Sequence, residues 1–438
     1  MRNVPKELKF PLAGLGRDLS YRDSTLPTEE RTYATPMAKN VIGSCSFSGR
    51  LRGGSRPGLA AVEGIESASN GRWLWPNGEK ILWPDGKEMS FADYGDGITL
   101  PDGSRIFQQH RTFTIYRDRL FKAEGSVWMA SRTGDFANFD FGADRDDVSR
   151  AVAGNIALAG RKGEDITAFA PVNDQVMFIA TRRALRMISG EPTSAVKAIS
   201  DSVGIVSANA WCFDGQRVYF MGPNGLYGMV PGESPLILSA RLPEDLKGFA
   251  DATLVYDPEN RGIHVFGDSD WFYDIEAKAF WPVEYPPTKM PEAGGVAVIG
   301  GVNRVVFRGV DGNWYRWDDD AEDDEGESIA STLAIGPFRC GLRDDGDGML
   351  DSVVATLAKG SVDANISVYT AKSAEEAVTR SEDDDFEAMA AFTAHGGWNA
   401  TCRPRVRGAW CVLVIRATGR WAYESILANI KTWGRLRP

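Results

Sequence analysis

Five recurring strand-turn-strand segments, tight turns supplied by 47 glycines and 22 prolines, and an acidic block after the last segment together predict an all-β protein. The expected architecture is a β-propeller of about five to six blades followed by a C-terminal β-sandwich domain. The segments begin at Asp118, Asp174, Gln216, Arg261 and Asn303, so successive starts lie 56, 42, 45 and 42 residues apart. Each carries an apolar strand, a turn containing Gly or Asp, and a second strand with an aromatic or Leu. Each also follows another strand-like run, at 113–116, 166–170, 208–213, 253–256 and 296–299. Val218 and Phe220 alternate with Tyr219 and Met221, a period of two that disfavours helical repeats of similar length. A unit of four short strands buries its faces only against the next unit, which is what a propeller blade requires. The competing arrangement is an irregular β-sandwich, and no Trp-Asp or kelch signature recurs.

The order of the chain sets the expected boundaries: an N-terminal arm with an Arg-rich loop packing on the propeller (1–69), a hairpin extension (70–107), the propeller (108–317), an acidic linker (318–328) and the β-sandwich (329–438). In the extension, the tetrapeptides WPNG at 75–78, WPDG at 83–86 and LPDG at 100–103 place Pro at the second turn position with Asn-Gly or Asp-Gly after it, so a narrow ladder of hairpins is expected. Trp73, Trp75 and Trp83 stand where cross-strand stacking would stabilise it. In the linker, eight of the ten residues 318–327 are acidic and cannot form a core. Beyond it, 333–338, 352–357, 364–369, 409–418 and 424–431 read as strands, with short helical turns at 374–379 and 386–391.

Composition narrows the function. No run of about 18 apolar residues exists to span a bilayer, and the first ten residues lack the apolar centre of a signal peptide, so a soluble protein is expected. The five cysteines (Cys45, Cys212, Cys340, Cys402, Cys411) are odd in number and lack C-x-x-C spacing, which predicts buried free thiols and a reducing compartment. The net charge of −11 is segregated along the chain. Residues 1–60 carry ten basic against five acidic groups, 318–387 five against twenty, and 395–438 eight against one. Solvated faces and a linker explain this, as would basic ends meeting the acidic surfaces of neighbouring copies, or an acidic face lining a passage for a polyanion.

Catalysis has little support, and no cofactor is expected. Three histidines (His110, His264, His395) stand apart from any serine elbow or cysteine motif, no pair of carboxylates can be singled out among sixty, and no phosphate-binding glycine loop is present. The segment 344–351 (DDGDGMLD) groups carboxylates as calcium loops do, but lacks the full spacing and the closing Glu. A turn is the simpler meaning. The Arg-rich run 50–58 (RLRGGSRPG) is too narrow for tight DNA binding in an acidic chain. Few basic anchors between negative walls would instead let DNA slide.

Two segments resemble one family. The run Asn40-Val-Ile-Gly-Ser followed by GRLRGGSRPG at 49–58 is similar to the opening of phage tail nozzle proteins, also called tail tubular protein B, and of packaged-DNA stabilisation proteins. The run Arg119-Leu-Phe followed by VWMASRTGDFANF at 127–139 resembles the family's signature on an early propeller blade. A looser likeness lies in Arg407-Gly-Ala-Trp and Trp421-Ala-Tyr-Glu-Ser-Ile426 near the end. The resemblance implies a non-enzymatic virion protein of the phage tail, assembled in the host cytoplasm. Six copies would form a ring on the portal-adaptor complex, contact tail fibre or needle proteins, retain packaged DNA and let it pass non-specifically during ejection. Arg52, Arg56, Pro57, Gly58, Ser131, Arg132, Gly134 and Asp135 would then be structural or interface residues. Arg56 and Arg132 suit bidentate pairing with carboxylates, and Gly58 and Gly134 suit turn conformations closed to other residues. Asp318, Asp319, Asp320, Asp323, Asp324, Asp383 and Asp384 are the candidate channel or interface charges. The alternatives are a propeller enzyme, or a receptor-binding module, acting on host surface polysaccharide.

Overall fold

The computed structural model describes residues 2–17, 33–44, 52–62 and 112–432, apart from 137, 143, 145, 158–162, 194, 243, 300 and 342–346, together with short strands at 67–69, 74–75, 80–82, 88–90, 98–99 and 105–106. The protein is all-β, built from antiparallel sheets, with one α-helix among the described residues.

Four successive sheets are four-stranded meanders in which each strand pairs with the next. Unit one comprises Phe113–Tyr116, Arg119–Glu124, Val127–Ala130 and Val152–Asn155, and unit two Ala168–Asn173, Val176–Ala180, Leu185–Ser189 and Lys197–Ser200. Unit three comprises Trp211–Phe213, Val218–Gly222, Gly225–Met229 and Leu236–Ile237, and unit four Thr253–Asp257, Gly262–Phe266, Asp270–Asp274 and Ala279–Val283. The five sequence segments fall on the second and third strands of the units, and the runs before them fall on the first. Unit five supplies three strands in order, Pro291–Ile299, Val302–Gly309 and Trp314–Asp318. Its fourth comes from far upstream: Gly58–Ala61 pairs with Trp314–Asp318, setting Gly58 opposite Asp318 and Leu59 opposite Trp317.

Alternation explains why the units need one another. Within Val176–Ala180, Met177 and Ile179 join Phe121, Trp128 and Phe169 in a core shared with unit one. Phe178 and Ala180 point the other way, into a core with Phe220, Tyr227 and Ile263 of units three and four. Inner strands such as Val176–Ala180, Val218–Gly222 and Gly262–Phe266 are buried on both faces, which a lone four-stranded sheet cannot achieve.

After Ile329 the chain builds most of two five-stranded sheets, each completed by one strand from the N-terminal arm. One runs Ala38–Lys39, Ala330–Arg339, Trp410–Thr418, Ala364–Ala371, Ala390–Ala394; the other joins Arg2–Leu8, Tyr423–Thr432, Gly348–Leu357 and Asn399–Cys402, with Val406–Gly408 also on Gly348–Leu357. Leu333, Ile366, Leu413, Val353 and Ile426 of the two sheets share one core. The helix Ala374–Glu382 covers the outer face of the first sheet through Ala374, Ala377 and Val378, against Ala334, Tyr369, Val412 and Val414. Its start is capped by the Ser373 hydroxyl, which accepts from the Glu376 amide at 3.1 Å. All five predicted strands of this half are present. The expected helical turn at 386–391 is not helical: Ala390–Ala394 is an edge strand on Ala364–Ala371, where main-chain groups need a partner.

The N-terminal arm, expected on the propeller, is divided between both halves. Arg2–Leu8 pairs along its whole length with the last strand, Ala38–Lys39 pairs with Ala330–Arg339, and Gly58–Ala61 completes unit five. In the 70–107 region, the strands on either side of each Pro-Asn-Gly or Pro-Asp-Gly turn do pair antiparallel. The strands from Ser67–Ser69 to Glu88–Ser90 continue the unit-five sheet from its Pro291–Ile299 edge, whereas Ile98–Thr99 and Arg105–Ile106 form a separate two-stranded sheet. Trp73 and Trp83 lie outside the described residues, as does Cys45. Cys212, Cys340 and Cys411 are buried and Cys402 half-buried, all four as free thiols. Among the described residues no helix is long and apolar enough to cross a membrane.

Candidate functional site

Some of the residues singled out by the sequence gather around two buried arginines. Arg56 follows the close approach of the loop at Gly53 and Gly54, and its side chain is wholly buried. All five of its N–H groups are used. Nε donates to Asn40 Oδ1 (3.1 Å), Nη1 to the Pro57 carbonyl (2.9 Å) and Asp324 Oδ1 (2.9 Å), and Nη2 to Asp324 Oδ2 (2.6 Å) and the Glu284 carbonyl (3.0 Å). The pair with Asp324 is therefore bidentate, the geometry that guanidinium and carboxylate planes favour. Tyr285 lies beneath the guanidinium at 4.9 Å. Asn40 sits at a φ of 52°, and its amide also donates to the Ala330 carbonyl at 2.9 Å. Lys289 Nζ donates to the Asp324 carbonyl and, at 3.1 Å, to Glu327. One cluster thus ties the arm, the exit from unit four, the acidic segment and the first strand of the C-terminal half.

The second arginine is Arg119, which stands in the quoted motif although its spacing marks no role for it. It is fully buried; Nη1 donates to the carbonyls of Ser131 (2.9 Å) and Arg150 (2.5 Å), and Nη2 to that of Val148 (2.6 Å). Burial lowers its pKa from the ordinary arginine value, with Glu191, 4.0 Å away, opposing. The Ser131 hydroxyl accepts from the Leu120 amide at 2.9 Å, and Gly134, at a φ of 73°, donates its amide to the Asp118 carbonyl at 2.8 Å. Arg132 pairs with Asp147 through one nitrogen at 2.9 Å, partly exposed, so the bidentate expectation holds for Arg56 and not for Arg132. Asp135 closes the turn by donating its amide to the Arg132 carbonyl at 3.1 Å. Hydrogen bonds from Ser149, then Arg132, hold the Asp147 carboxyl below the usual range. The connection between the third and fourth strands of unit one is therefore laced to a buried cation.

Other expected residues fall as follows. Arg52 pairs with Glu424. Gly58 has no left-handed backbone; a Cβ there would lie 2.3 Å from the Asp323 carbonyl, so close main-chain approach is its reason for being glycine. Asp324 is 2% exposed and leaves the set of surface charges, because Arg56 needs a buried counter-charge. Asp318 pairs with Arg316, the Asp323 carboxylate accepts from the Gly326 amide at 2.9 Å, and Asp319 and Asp320 are exposed. Asp383 and Asp384 lie on a different element, past the end of the helix. The structure does not bring the two acidic groups together. Part of the 344–351 segment lies outside the described residues; Asp351 pairs with Lys431 at 2.6 Å, and no metal-binding group of three occurs among the described residues.

Two features carried no sequence signal. His264 Nε2 lies 3.1 Å from Asp257 Oδ2, both side chains buried, with Phe266, Phe272 and Trp317 around the ring. Burial raises the Asp257 carboxyl, but hydrogen bonds from His264 and Asn260 outweigh it and leave it below its ordinary value. No hydroxyl or thiol is hydrogen-bonded to this imidazole among the described residues, so the pair is a satisfied core contact. The first strands of units two to five surround a cavity of about 270 Å³ lined by Val172, Trp211, Phe213, Tyr256 and Val296.

No family model matches the chain, and no curated protein does. Among solved structures it is similar to the extracellular domain of a hybrid two-component system of B. thetaiotaomicron, at 9% identity and a TM-score of 0.33 over 69% of this chain and 43% of that one. It is also similar to PorZ, a surface component of the type-IX secretion system of Porphyromonas gingivalis (15%, 0.27, 67% and 37%), and to the AfRom2 CNH domain (9%, 0.31, 63% and 94%). The chain spans less than half of the first two proteins. At these TM-scores the likenesses carry no argument about fold or function.

Three outcomes follow from the geometry. Replacing Arg56 by Ala leaves Asp324 buried and unpaired, and chemical denaturation should register a loss of about 3–5 kcal/mol; a loss within about 0.5 kcal/mol would place the pair at a solvated surface. Arg119→Leu should release residues 131–150, read as new proteolytic cleavages and faster amide exchange there, while unit four keeps its protection. Burial pushes the Asp270 carboxyl up to about 7. Its folded value lies above the unfolded one, so the native state binds the extra proton and stability falls as pH rises from about 4 to 7. In melting curves across this range, Asp270→Asn should flatten that decline and be more stable than wild type at pH 8.

Proposed function

We propose that this chain is a structural virion protein of a phage tail: a nozzle or stopper, six copies of which form a ring that extends the portal-adaptor channel, retains packaged DNA and lets it pass during ejection. One observation carries the reading above the others. Two of the segments that resemble the nozzle family contribute the buried Arg56 and Arg119, so part of the resemblance falls on residues that hold the fold.

In this reading the five four-stranded units are blades of a propeller, and Gly58–Ala61 closes the last of them with an N-terminal strand, a fastening that ties the two ends of a repeat array. The two C-terminal sheets form the sandwich. The mechanism is steric and electrostatic, with no chemical step. Several basic groups of the arm are engaged within the chain, as in Arg56 with Asp324, Arg17 with Asp245 and Lys39 with Glu284. The exposed acidic residues, Asp319, Asp320 and Asp384 among them, are left to face a lumen or a neighbour.

The test is the mass and symmetry of the particle formed when purified protein is mixed with the portal-adaptor complex of its own virus, followed by mass photometry and negative-stain imaging. Six copies docked as a closed ring are the expected result. A chain that stays monomeric and ignores the adaptor defeats the proposal.

A further inference from the structure

Two of the buried cysteines stand together. Phe338 opposes Cys411 in the register of Ala330–Arg339 with Trp410–Thr418, and the ladder runs on to the next residue, where the Cys340 amide donates to the Ala409 carbonyl at 2.9 Å. Directly opposed residues share a face, as do residues two apart along a strand, so Cys340 and Cys411 are diagonal neighbours on the inner face of the sheet. Both lie in the core between the two C-terminal sheets, 1% and 0% exposed. Burial pushes the Cys411 thiol well above its ordinary range, and a side-chain hydrogen bond with Cys340 adds to the shift. The two sulfurs are therefore already side by side.

A cation reaches the same place from the other sheet. Lys6 lies two residues before Leu8 on Arg2–Leu8, so its side chain shares the inward face with that core residue, and its Nζ stands 5.4 Å from the centre of the Phe338 ring. Lys6 is half-buried and no carboxylate pairs with it among the described residues. Burial lowers its pKa, and Cys340 is the ionisable group that opposes the shift. An ammonium turned into a sheet interior is costly unless its charge is matched, and the acidic group at hand is a thiol. Lys6 and Phe338 also line an open cleft of about 60 Å³, with Leu8, Pro11, Tyr33 and Ile335, which is room for a molecule of a few atoms.

We propose that Cys340 and Cys411 are a peroxide-sensitive dithiol, in which Cys340 is oxidised first and Cys411 converts it to a disulfide. The Cys340 thiolate, with the Lys6 charge beside it, attacks one oxygen of hydrogen peroxide and the O–O bond breaks. Cys340 becomes a sulfenic acid, and the hydroxide that leaves takes up the proton the thiol released. The Cys411 sulfur then attacks that of Cys340, the S–O bond breaks, and a second water leaves with the Cys411 proton. Two thiols and one peroxide thus give one disulfide and two waters. The roles differ because Cys340 has the ammonium, whereas Cys411 is surrounded by the core and the other thiol. Neither Cys212 nor Cys402 has a thiol or an ammonium acting on it among the described residues. The narrow cleft favours peroxide over a bulky oxidant such as a glutathione disulfide. The site belongs to a single chain and is independent of ring assembly.

The test is to treat full-length protein with hydrogen peroxide well below its melting temperature, block the remaining thiols with N-ethylmaleimide, digest without reductant and map the peptides by mass spectrometry. A linked Cys340–Cys411 peptide that dithiothreitol separates is the expected product, formed ahead of any oxidation of Cys402, the more exposed thiol. In Cys411→Ser the Cys340 sulfenic acid should persist and be trapped by dimedone, whereas in Cys340→Ser the Cys411 thiol should stay unlabelled. Lys6→Met should slow the linkage at least about 3-fold and move its rate profile to higher pH, the effect of removing a positive charge beside a thiolate. A merely structural lysine would leave that profile in place. Should either serine variant fail to fold, the wild-type map and the Lys6→Met profile still decide. Both thiols staying reduced in wild type, linkage to any other cysteine, an unmoved Lys6→Met profile, or dimedone on Cys411 in place of Cys340 overturns the proposal.

Discussion

A bidentate ion pair with no access to water, Arg56 with Asp324, is the constraint on which the rest depends. A buried guanidinium is costly unless its charge is matched and its N–H groups have acceptors, because each unmet group retains its desolvation cost. Meeting that condition draws acceptors from positions 40, 57, 284 and 324, residues as much as 284 positions apart. The arm can therefore lie in only one place. With Arg56 fixed, Gly58 is pressed against the main chain at Asp323 and the next residues fall into register with Trp314–Asp318. The acidic segment, which composition marks as a loop, becomes a structural joint because one of its carboxylates is needed inside.

Arg119 meets the condition only in part: both of its Nη groups donate to carbonyls, while its Nε–H is buried without an acceptor among the described residues. There the acceptors are main-chain carbonyls of a connection that has no regular structure, so the cation substitutes for the ladder that the loop lacks. Both clusters show arginine used for geometry rather than for surface charge. Around them, period-two strands buried on both faces make each unit depend on its neighbours, and the pairing of Arg2–Leu8 with Tyr423–Thr432 makes the C-terminal half depend on the first residues of the chain. Such long-range pairing places much of the loop-closure cost before the stabilising contacts form.

For a protein proposed to act by shape and charge, it matters which charges remain outside. Arg56, Arg119, Asp257 and Asp324 are buried, and the pair of Arg56 with Asp324 joins the basic arm to the acidic segment within the chain. Asp319, Asp320 and Asp384 are among the charges left at the surface.

The all-β class, the five repeats and the strands of the C-terminal half were legible in the sequence, because side-chain alternation and Pro-Gly turn chemistry are local properties. Arg56 and the Ser131–Asp135 turn were legible as motif residues, and the carboxylate expected opposite Arg56 is present. The partner itself was not: Asp324 is one of eight acidic residues in a run of ten, and nothing in that run distinguishes the one that is buried. Nor could local pattern show that Arg2–Leu8 belongs with the last strand or that Gly58–Ala61 completes the fifth unit. Those facts are registers between distant strands. Register depends on which faces find a core and which buried polar groups find partners, and only the tertiary structure decides that.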